Sequence, residues 1–272
     1  MLDITFLILL GLGLIAGVLA GLLGIGGGIL FTPILFVVFT GAGIQDPVVL
    51  TIGTSLFCTF IAAVGSSVRQ YRQQNFYWSE GLKVGLLGAV GVTLGKWVIT
   101  QSFYSKQVFV LFFSLLLVYV AWMFIRRGVK TERQSIEEND TLSLKQAGIA
   151  GGMGGFVAAL AGIGGGAVMV PLINLYYNKA FQKAVSISSL AIVFISLSGW
   201  GQLALSANSS ETLSVYTLGF VDFGAALPLS IGAMIGGFMG ALITVKIQKR
   251  YLQYAFALLA VAMAVKLLTE VY

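Results

Sequence analysis

The sequence predicts an all-α integral membrane protein with two inverted repeats, each with four full spans and one short or re-entrant helix after a glycine-rich break. Three observations lead to this prediction. The 272 residues are 58% hydrophobic and 10% charged, with a mean hydropathy of +0.95, whereas a soluble domain carries about 25% charged residues. A glycine-rich segment occurs twice in apolar surroundings. The basic residues of the loops favour one membrane topology over its alternative.

The repeated glycine-rich segment lies at residues 20–28 and 158–166. The first copy reads Ala-Gly-Leu-Leu-Gly-Ile-Gly-Gly-Gly and the second Ala-Ala-Leu-Ala-Gly-Ile-Gly-Gly-Gly, with Pro33 and Pro171 at matching positions after them. Because glycine adopts bent and left-handed conformations, each copy predicts a break in the helix. Inside a membrane, a break is tolerated only where it is buried in protein or lines a water-filled cavity. Two matched breaks are typical of a transporter binding site.

Apolar runs predict the helices of the first repeat, residues 1–125. A membrane-spanning helix needs about 20 apolar residues, so the run over 4–40 is too long for one span. The predicted segments are a full span over 4–22, a short piece over 29–41, and full spans over 48–68, 80–100 and 107–125. The short piece is either re-entrant or a short tilted span.

A polar linker, residues 126–146, leads to the second repeat, residues 147–272. The predicted segments are an apolar run over 147–161, a short piece over 167–177, and full spans over 184–206, 223–245 and 252–270. Small residues recur as well, since Gly91-x-x-x-Gly95 corresponds to Gly236-x-x-x-Gly240. Such pairs let helix backbones approach closely. The chain is therefore predicted to be a tandem duplication.

The basic residues of the loops discriminate between two topologies. If each glycine break lies within one crossing, they divide almost evenly between the two sides. If the chain turns back at each break, nearly all share one side and Lys106 alone lies opposite. Because Lys and Arg mark cytoplasmic loops, the second topology is favoured. It predicts a multi-pass protein of the bacterial inner membrane with an inverted second repeat, a cytoplasmic linker 126–146 and both termini outside.

The breaks are predicted to bind a small anion. A helix that begins at such a break leaves N–H groups unpaired and directs its positive dipole end there, which forms an anion site without a lysine. Hydroxyl pairs in corresponding spans can donate further hydrogen bonds. The predicted substrate-binding residues are Gly24, Gly26, Gly27, Gly28, Thr54, Ser55, Gly162, Gly164, Gly165, Gly166, Ser188 and Ser189. The alternative is that the glycines only allow close packing and the hydroxyls bond within helices.

The remaining polar residues offer weaker candidates. Charged residues near span ends are predicted to snorkel to the interface or to cap helices rather than to act in transport; they are Glu80, Lys83, Lys96, Asp222 and Lys266. Asn174, Trp200 and Gln202 are candidate pore residues. A dinucleotide site at Gly162-x-Gly164-x-x-Ala167 is disfavoured because no strand–turn–helix unit surrounds it.

The residue types present argue against an enzyme and against a cofactor or metal. The chain has no histidine and a single cysteine, Cys58, which excludes an internal disulfide and a cysteine cluster. No paired carboxylates lie in mid-membrane positions, so catalysis is disfavoured. The expected partners are a small anionic substrate and the lipid bilayer, with no nucleic acid. A homodimer is left open.

The paired segments resemble those of the TauE/SafE family of membrane transporters. The matching residues are Gly21, Gly24 to Gly28 and Pro33, then Gly162 to Gly166 and Pro171, with Ala159 at the position that matches Gly21. The resemblance covers the whole chain. It implies a secondary transporter, an exporter of small sulfur-containing anions such as sulfite or sulfoacetate, with alternating access around a midplane site. A passive anion channel on the same scaffold is the alternative.

Substitution of the glycines tests these alternatives. If Gly26–Gly28 and Gly164–Gly166 hold the anion in positive-φ conformations, a side chain disfavours the backbone by roughly 1–2 kcal/mol per residue and fills substrate space. Gly27→Ala or Gly165→Ala is then expected to abolish transport while membrane insertion survives. If the glycines only pack, the same changes lower stability and leave the remaining protein active.

Overall fold

The computed structural model describes residues 2–23, 28–129, 141–206, 214–243 and 249–269, and these are almost entirely helical. The helices are α1 (Leu2–Leu23), α2 (Gly28–Gly41), α3 (Pro47–Arg72), α4 (Trp78–Ile99), α5 (Lys106–Val129), α6 (Leu144–Ala161), α7 (Gly166–Pro171), α8 (Phe181–Ala204), α9 (Phe223–Ile243) and α10 (Lys249–Thr269). A π-helical turn, Leu172–Tyr176, extends α7. The all-α prediction is confirmed for the described chain, apart from one antiparallel hairpin of β1 (Thr217–Leu218) and β2 (Val221–Asp222) that the sequence did not predict.

Several helices are long and apolar enough to cross a membrane. In the described chain, α3, α4, α8 and the Lys106–Met123 part of α5 meet both criteria. Shorter apolar helical stretches are Ile4–Leu19, Gly28–Gly41, Gly166–Tyr176, Phe223–Met239 and Ala257–Thr269. Large apolar side chains such as Trp97, Phe238 and Leu258 are exposed on the outside of the bundle. An exposed apolar surface of this kind is unfavourable in water and suits contact with lipid. The fold is therefore that of a multi-pass membrane protein.

Local signals explain where several helices begin and end. Pro47 stands at the start of α3, where its missing N–H costs nothing. Ser143 and Gln146 form a capping box that starts α6. Gly162, in the left-handed conformation, ends α6. Asp222 caps α9, since its Oδ1 accepts the Ala225 N–H at 3.0 Å.

The corresponding helices α3 and α8 run antiparallel. Phe57, near the middle of α3, packs edge-on against Trp200, with ring centroids 5.3 Å apart. Further along α3, the Ser66 hydroxyl lies 3.0 Å from that of Ser189. Since Ser189 precedes Trp200 in α8, the two helices cross the bundle in opposite directions.

The chain also reverses between α1 and α2. Gly13 and Gly17 of α1 lie against Leu229 and Ala233 of α9, in the same order, so α1 and α9 are parallel. The Thr54 hydroxyl of α3 accepts the Asp222 N–H, and the Cys58 thiol donates to the Ala226 carbonyl, so α3 is parallel to α9 too. In contrast, α2 runs against α3, because Gly28 lies beside Thr59 and Thr32 bonds Ser55 four residues earlier. Hence α1 and α2 point in opposite directions.

Glycines bring the backbones of α4 and α6 into direct contact. A Cβ atom added to Gly91 would overlap the Gly152 carbonyl, and one on Gly95 would stand 2.6 Å from the Ala159 Cβ. A Cβ on Gly236 of α9 would overlap the Leu14 carbonyl of α1 in the same way. The predicted close packing at these three glycines is confirmed, and it fixes the two helix pairs at short range.

Alanine substitution in α6 is expected to separate packing glycines from neutral ones. In Gly155→Ala the new Cβ would overlap the Gly88 carbonyl of α4, so the helices must move apart at a cost of about 1–3 kcal/mol. Gly152→Ala is the matched control, because nothing lies within 4 Å of its Cβ position and alanine is the better helix former. Melting temperatures in detergent are expected to fall for Gly155→Ala alone. Equal melting temperatures would contradict the contact.

Candidate functional site

Gly28, the last residue of the first glycine-rich segment, meets the second break at the centre of the bundle. A Cβ atom on Gly28, the first residue of α2, would stand 2.7 Å from the carbonyl oxygen of Ile163, which lies in the second break. It would also stand 2.8 Å from the Thr59 Oγ1, and Thr59 lies midway along the 26-residue α3. Gly164 and Gly166 both adjoin Ile192, which lies midway along the 24-residue α8. Gly28 and the second break are therefore level with the middle of α3 and α8.

The second break is built on three left-handed glycines. Gly162, Gly164 and Gly165 have φ angles of +73°, +72° and +77°, which a residue with a Cβ adopts only with strain. The predicted break, and the positive φ expected at Gly164 and Gly165, are confirmed. The positive φ expected at Gly28 and Gly166 is wrong, because these residues are the first helical residues of α2 and α7.

Two hydroxyls from the first repeat hold the backbone of this break. The Ser55 hydroxyl donates to the Gly162 carbonyl at 2.9 Å, and the Thr32 hydroxyl donates to the Ala161 carbonyl at 2.9 Å. The two hydroxyl oxygens lie 2.8 Å apart. Since each hydroxyl has one proton, the two carbonyls use both. Ser55 therefore holds the backbone of the break, and its hydrogen bond connects α3 to the segment that follows α6.

The partners of Thr54 and Ser189 lie on other elements. The Thr54 hydroxyl accepts the N–H of Asp222, the last residue of β2, at 3.0 Å, and the Ser189 hydroxyl lies 3.0 Å from that of Ser66 in α3. Neither contact involves a residue of the glycine breaks. Of the other predicted residues, Gly24, Gly26 and Gly27 lie outside the described chain.

Two buried hydroxyls beside the breaks have no hydrogen-bond partner in the described chain. They belong to Thr59 of α3 and Ser188 of α8, both 1% exposed. The Thr59 hydroxyl faces Gly28 and its methyl faces Gly164, whereas the Ser188 hydroxyl lies 3.6 Å from the Cβ position of Gly166. An unbonded buried hydroxyl costs about 1–3 kcal/mol. Thr59 is not among the predicted residues, although it lies four residues after Ser55, on the same face of α3.

The second break contacts α6 as well as α3 and α8. A Cβ atom on Gly165 would overlap the carbonyl of Gly154 in α6. Gly165 is therefore also a packing residue, so Gly165→Ala is expected to lower stability whether or not the glycine holds an anion. Gly166 differs, because its nearest neighbour would be the flexible end of the Ile192 side chain at 2.9 Å.

Most of the charged residues act as the sequence predicts, with one exception. Asp222 caps α9, and Lys96 donates to the Gln202 carbonyl in the last turn of α8 at 3.0 Å. Glu80 does not snorkel, because it is only 5% exposed. Its Oε1 lies 3.4 Å from the Nζ of Lys183 in the second repeat. The prediction that Glu80 snorkels to the interface is wrong. The sequence could not show the ion pair, because Lys183 is distant from Glu80 along the chain.

The candidate pore residues have mainly local contacts. The Asn174 side chain donates to the Lys179 carbonyl at 2.8 Å, and the Gln202 side chain donates to the Ser198 hydroxyl at 2.8 Å. The indole ring of Trp200 packs against Phe57, and its buried N–H finds no acceptor in the described chain. These contacts direct the side chains of Asn174 and Gln202 to partners other than the residues of the breaks.

Comparison with known proteins identifies the family. A family model described as sulfite exporter TauE/SafE matches residues 9–267. The chain belongs to the TauE/SafE family. This TauE/SafE protein is 30% identical over 256 residues to a probable membrane transporter protein of Methanocaldococcus jannaschii, covering 93% of this chain and 92% of the relative. It is 26% identical over 274 residues to one of Haemophilus influenzae, with coverage of 97% and 98%.

A third relative has the same description and similar length. The TauE/SafE protein is 27% identical over 282 residues to a probable membrane transporter protein of Bacillus subtilis, covering 98% of each chain. The resemblance seen in the glycine segments is therefore confirmed over nearly the whole sequence. The TauE/SafE protein is a membrane transporter and not an enzyme.

Proposed function

We propose that this TauE/SafE protein is a secondary transporter that exports small sulfur-containing anions, such as sulfite or sulfoacetate, across a bacterial inner membrane. One observation carries the proposal: Gly28 and the second glycine break meet at the middle of α3 and α8, where two buried hydroxyls have no partner in the described chain. The name of the family, a sulfite exporter, suggests the substrate class.

Backbone groups at the breaks support an anionic substrate. The positive end of the 14-residue α2 lies at Gly28, against the second break, and a helix start attracts negative charge. Ile163, Gly164 and Gly165 lie between α6 and α7. In the described chain, their N–H groups donate to no backbone carbonyl. Unpaired N–H groups in a protein interior bind an anion without any cationic side chain.

The directions of the helices support inverted repeats. If the repeats were parallel, corresponding helices would cross in the same direction, but α3 and α8 run antiparallel. The reversal between α1 and α2 supports a chain that turns back at the break, which is the topology that the basic residues favour. Repeats of this kind commonly rock around a central site to give alternating access. We place the linker 126–146 in the cytoplasm and both termini outside.

Transport by purified protein in liposomes tests the proposal. Sulfite and sulfoacetate are expected to enter with saturable kinetics, and unlabelled anion on the opposite side is expected to accelerate the entry of labelled anion. Protein-free liposomes and a control cation give the background. A passive channel would lack this acceleration and would support the alternative function. Saturable cation flux without anion flux would refute an anion transporter of either kind.

A further inference from the structure

We infer that the Thr59 and Ser188 hydroxyls donate hydrogen bonds to the transported anion, and that the site they line selects singly charged anions over doubly charged ones. The inference rests on the proposed transport function and narrows its substrate class. It assigns hydrogen sulfite, rather than the sulfite dianion, as the transported form of sulfite. It also ranks the doubly charged sulfoacetate below a simple monosulfonate.

The two hydroxyls each lie beside the glycine-rich segments. Thr59 comes from the first repeat and Ser188 from the second, and each adjoins glycines of the breaks. Both are 1% exposed, and neither hydroxyl has a partner in the described chain. A hydroxyl in a helix often donates to the carbonyl one turn earlier. Neither of these two hydroxyls does so, and their protons therefore remain available. A bound oxyanion would accept both and remove the cost of leaving them unbonded.

No charged side chain is among the atoms nearest to the described glycines of the breaks. The atoms nearest to the glycines of the breaks belong to backbone, hydroxyl and aliphatic groups such as Ile192, and α2 and α7 contain no charged residue. In α3 the basic residues, Arg69 and Arg72, lie in the last turn. The one charged residue of α8, Lys183, lies in its first turn and pairs with Glu80. Positive potential at the centre therefore comes from N–H and O–H dipoles.

The charge of the anion decides how costly its transfer into such a site is. The energy needed to remove an ion from water rises with the square of its charge, so a dianion costs about four times as much as a monoanion of the same size. A neighbouring cation would offset the second charge, whereas dipoles offset it only in part. A site with no cation among the described residues beside it, lined by two hydroxyls and backbone N–H groups, therefore favours one negative charge.

The pH dependence of sulfite transport tests the selection by charge. Flux of labelled sulfite into liposomes is measured below, at and above neutral pH, once with hydrogen sulfite held constant and once with the dianion held constant. We expect flux to remain steady in the first series. In the second series, flux is expected to fall about tenfold for each unit by which the pH rises, because the concentration of hydrogen sulfite falls in the same proportion. Methanesulfonate, which carries one negative charge at every pH in the series, is the control. Its inhibition of sulfite flux is expected to stay constant.

Two outcomes separate the inference from the function on which it rests. Sulfite flux that follows the dianion concentration overturns the charge selection and leaves an anion transporter. No anion flux at any pH overturns the proposed function and the inference with it.

Conservative variants test the hydroxyls. Thr59→Val and Ser188→Ala remove a donor without adding bulk, and each is expected to raise the KM for sulfite about tenfold. Thr51→Val is the matched control, because Thr51 is a fully buried α3 residue whose hydroxyl also lacks a partner in the described chain. It lies about two turns from Thr59, and its KM is expected to stay unchanged.

A structural effect would look different. Loss of an unbonded buried hydroxyl does not lower stability, so all three variants are expected to unfold at or above the melting temperature of the wild type. Thr59→Ser, which keeps the hydroxyl, is expected to have the same KM for sulfite as the wild type. If Thr59→Val and Thr51→Val have the same KM, or if Thr59→Ser behaves as Thr59→Val does, the assignment of the hydroxyls is overturned.

Discussion

Replacing Glu80 with alanine is expected to destabilise the protein by about 3–5 kcal/mol, because the change leaves the buried Lys183 ammonium without its carboxylate. Both side chains are 6% exposed, and their charged atoms lie 3.4 Å apart. The pair joins α4 to α8. Thermal unfolding of the purified protein in detergent measures the loss.

The contacts around this ion pair explain why the expected effect is large. Glu80 Oε1 also accepts the Leu142 N–H at 2.8 Å, so the carboxylate fixes the chain just before α6. The Lys183 ammonium lies over the Tyr77 ring, 4.8 Å from its centroid, which adds a cation–π interaction. Removal of Glu80 therefore disturbs three segments at once.

The controls separate a buried pair from a surface charge. Lys83→Ala removes an exposed charge from the same helix and is expected to change stability little. Glu80→Leu combined with Lys183→Met removes both charges and is expected to recover much of the loss, since an apolar pair of similar volume often replaces an ion pair well. If Glu80→Ala and Lys83→Ala unfold at the same temperature, the ion pair contributes nothing.

Helix positions could be predicted from the sequence because apolar length is a local property. The span expected over 48–68 is α3 (Pro47–Arg72), and the short piece expected over 29–41 is α2 (Gly28–Gly41). The helices extend further than predicted where polar residues such as Arg72 continue the helix beyond the apolar run. The hairpin of β1 and β2 could not be predicted, since its four residues form no periodic pattern.

The residues of the site could be predicted only in part, because their positions depend on how neighbouring helices are rotated. The glycines of the second break could be predicted, because three of them have positive φ angles that glycine adopts without strain. Thr54 and Ser55 looked equivalent in sequence, but consecutive residues of a helix point in different directions. Ser55 reaches the break, whereas Thr54 reaches Asp222. Thr59 shares the face of Ser55, and only the packed structure shows that its hydroxyl lies between the breaks.

Alanine at Gly165 and alanine at Gly166 are expected to fail in different ways. Gly165→Ala places a Cβ against the Gly154 carbonyl at a φ of +77°, which combines roughly 1–2 kcal/mol of backbone strain with about 1–3 kcal/mol of overpacking. A large loss of yield and of melting temperature is expected. Gly166→Ala has no such strain, and its methyl group meets the flexible end of Ile192 at 2.9 Å.

Gly166→Ala is therefore expected to fold with a melting temperature close to that of the wild type but to transport sulfite poorly, because the methyl group takes space beside the Ser188 hydroxyl, 3.6 Å away. Flux normalised to inserted protein, measured beside the melting temperature, separates the two effects. Gly152→Ala, with open space at its Cβ position, is the control for both. A stable Gly166→Ala variant with normal flux would show that the anion does not occupy the space between the breaks, since a methyl group there would block it.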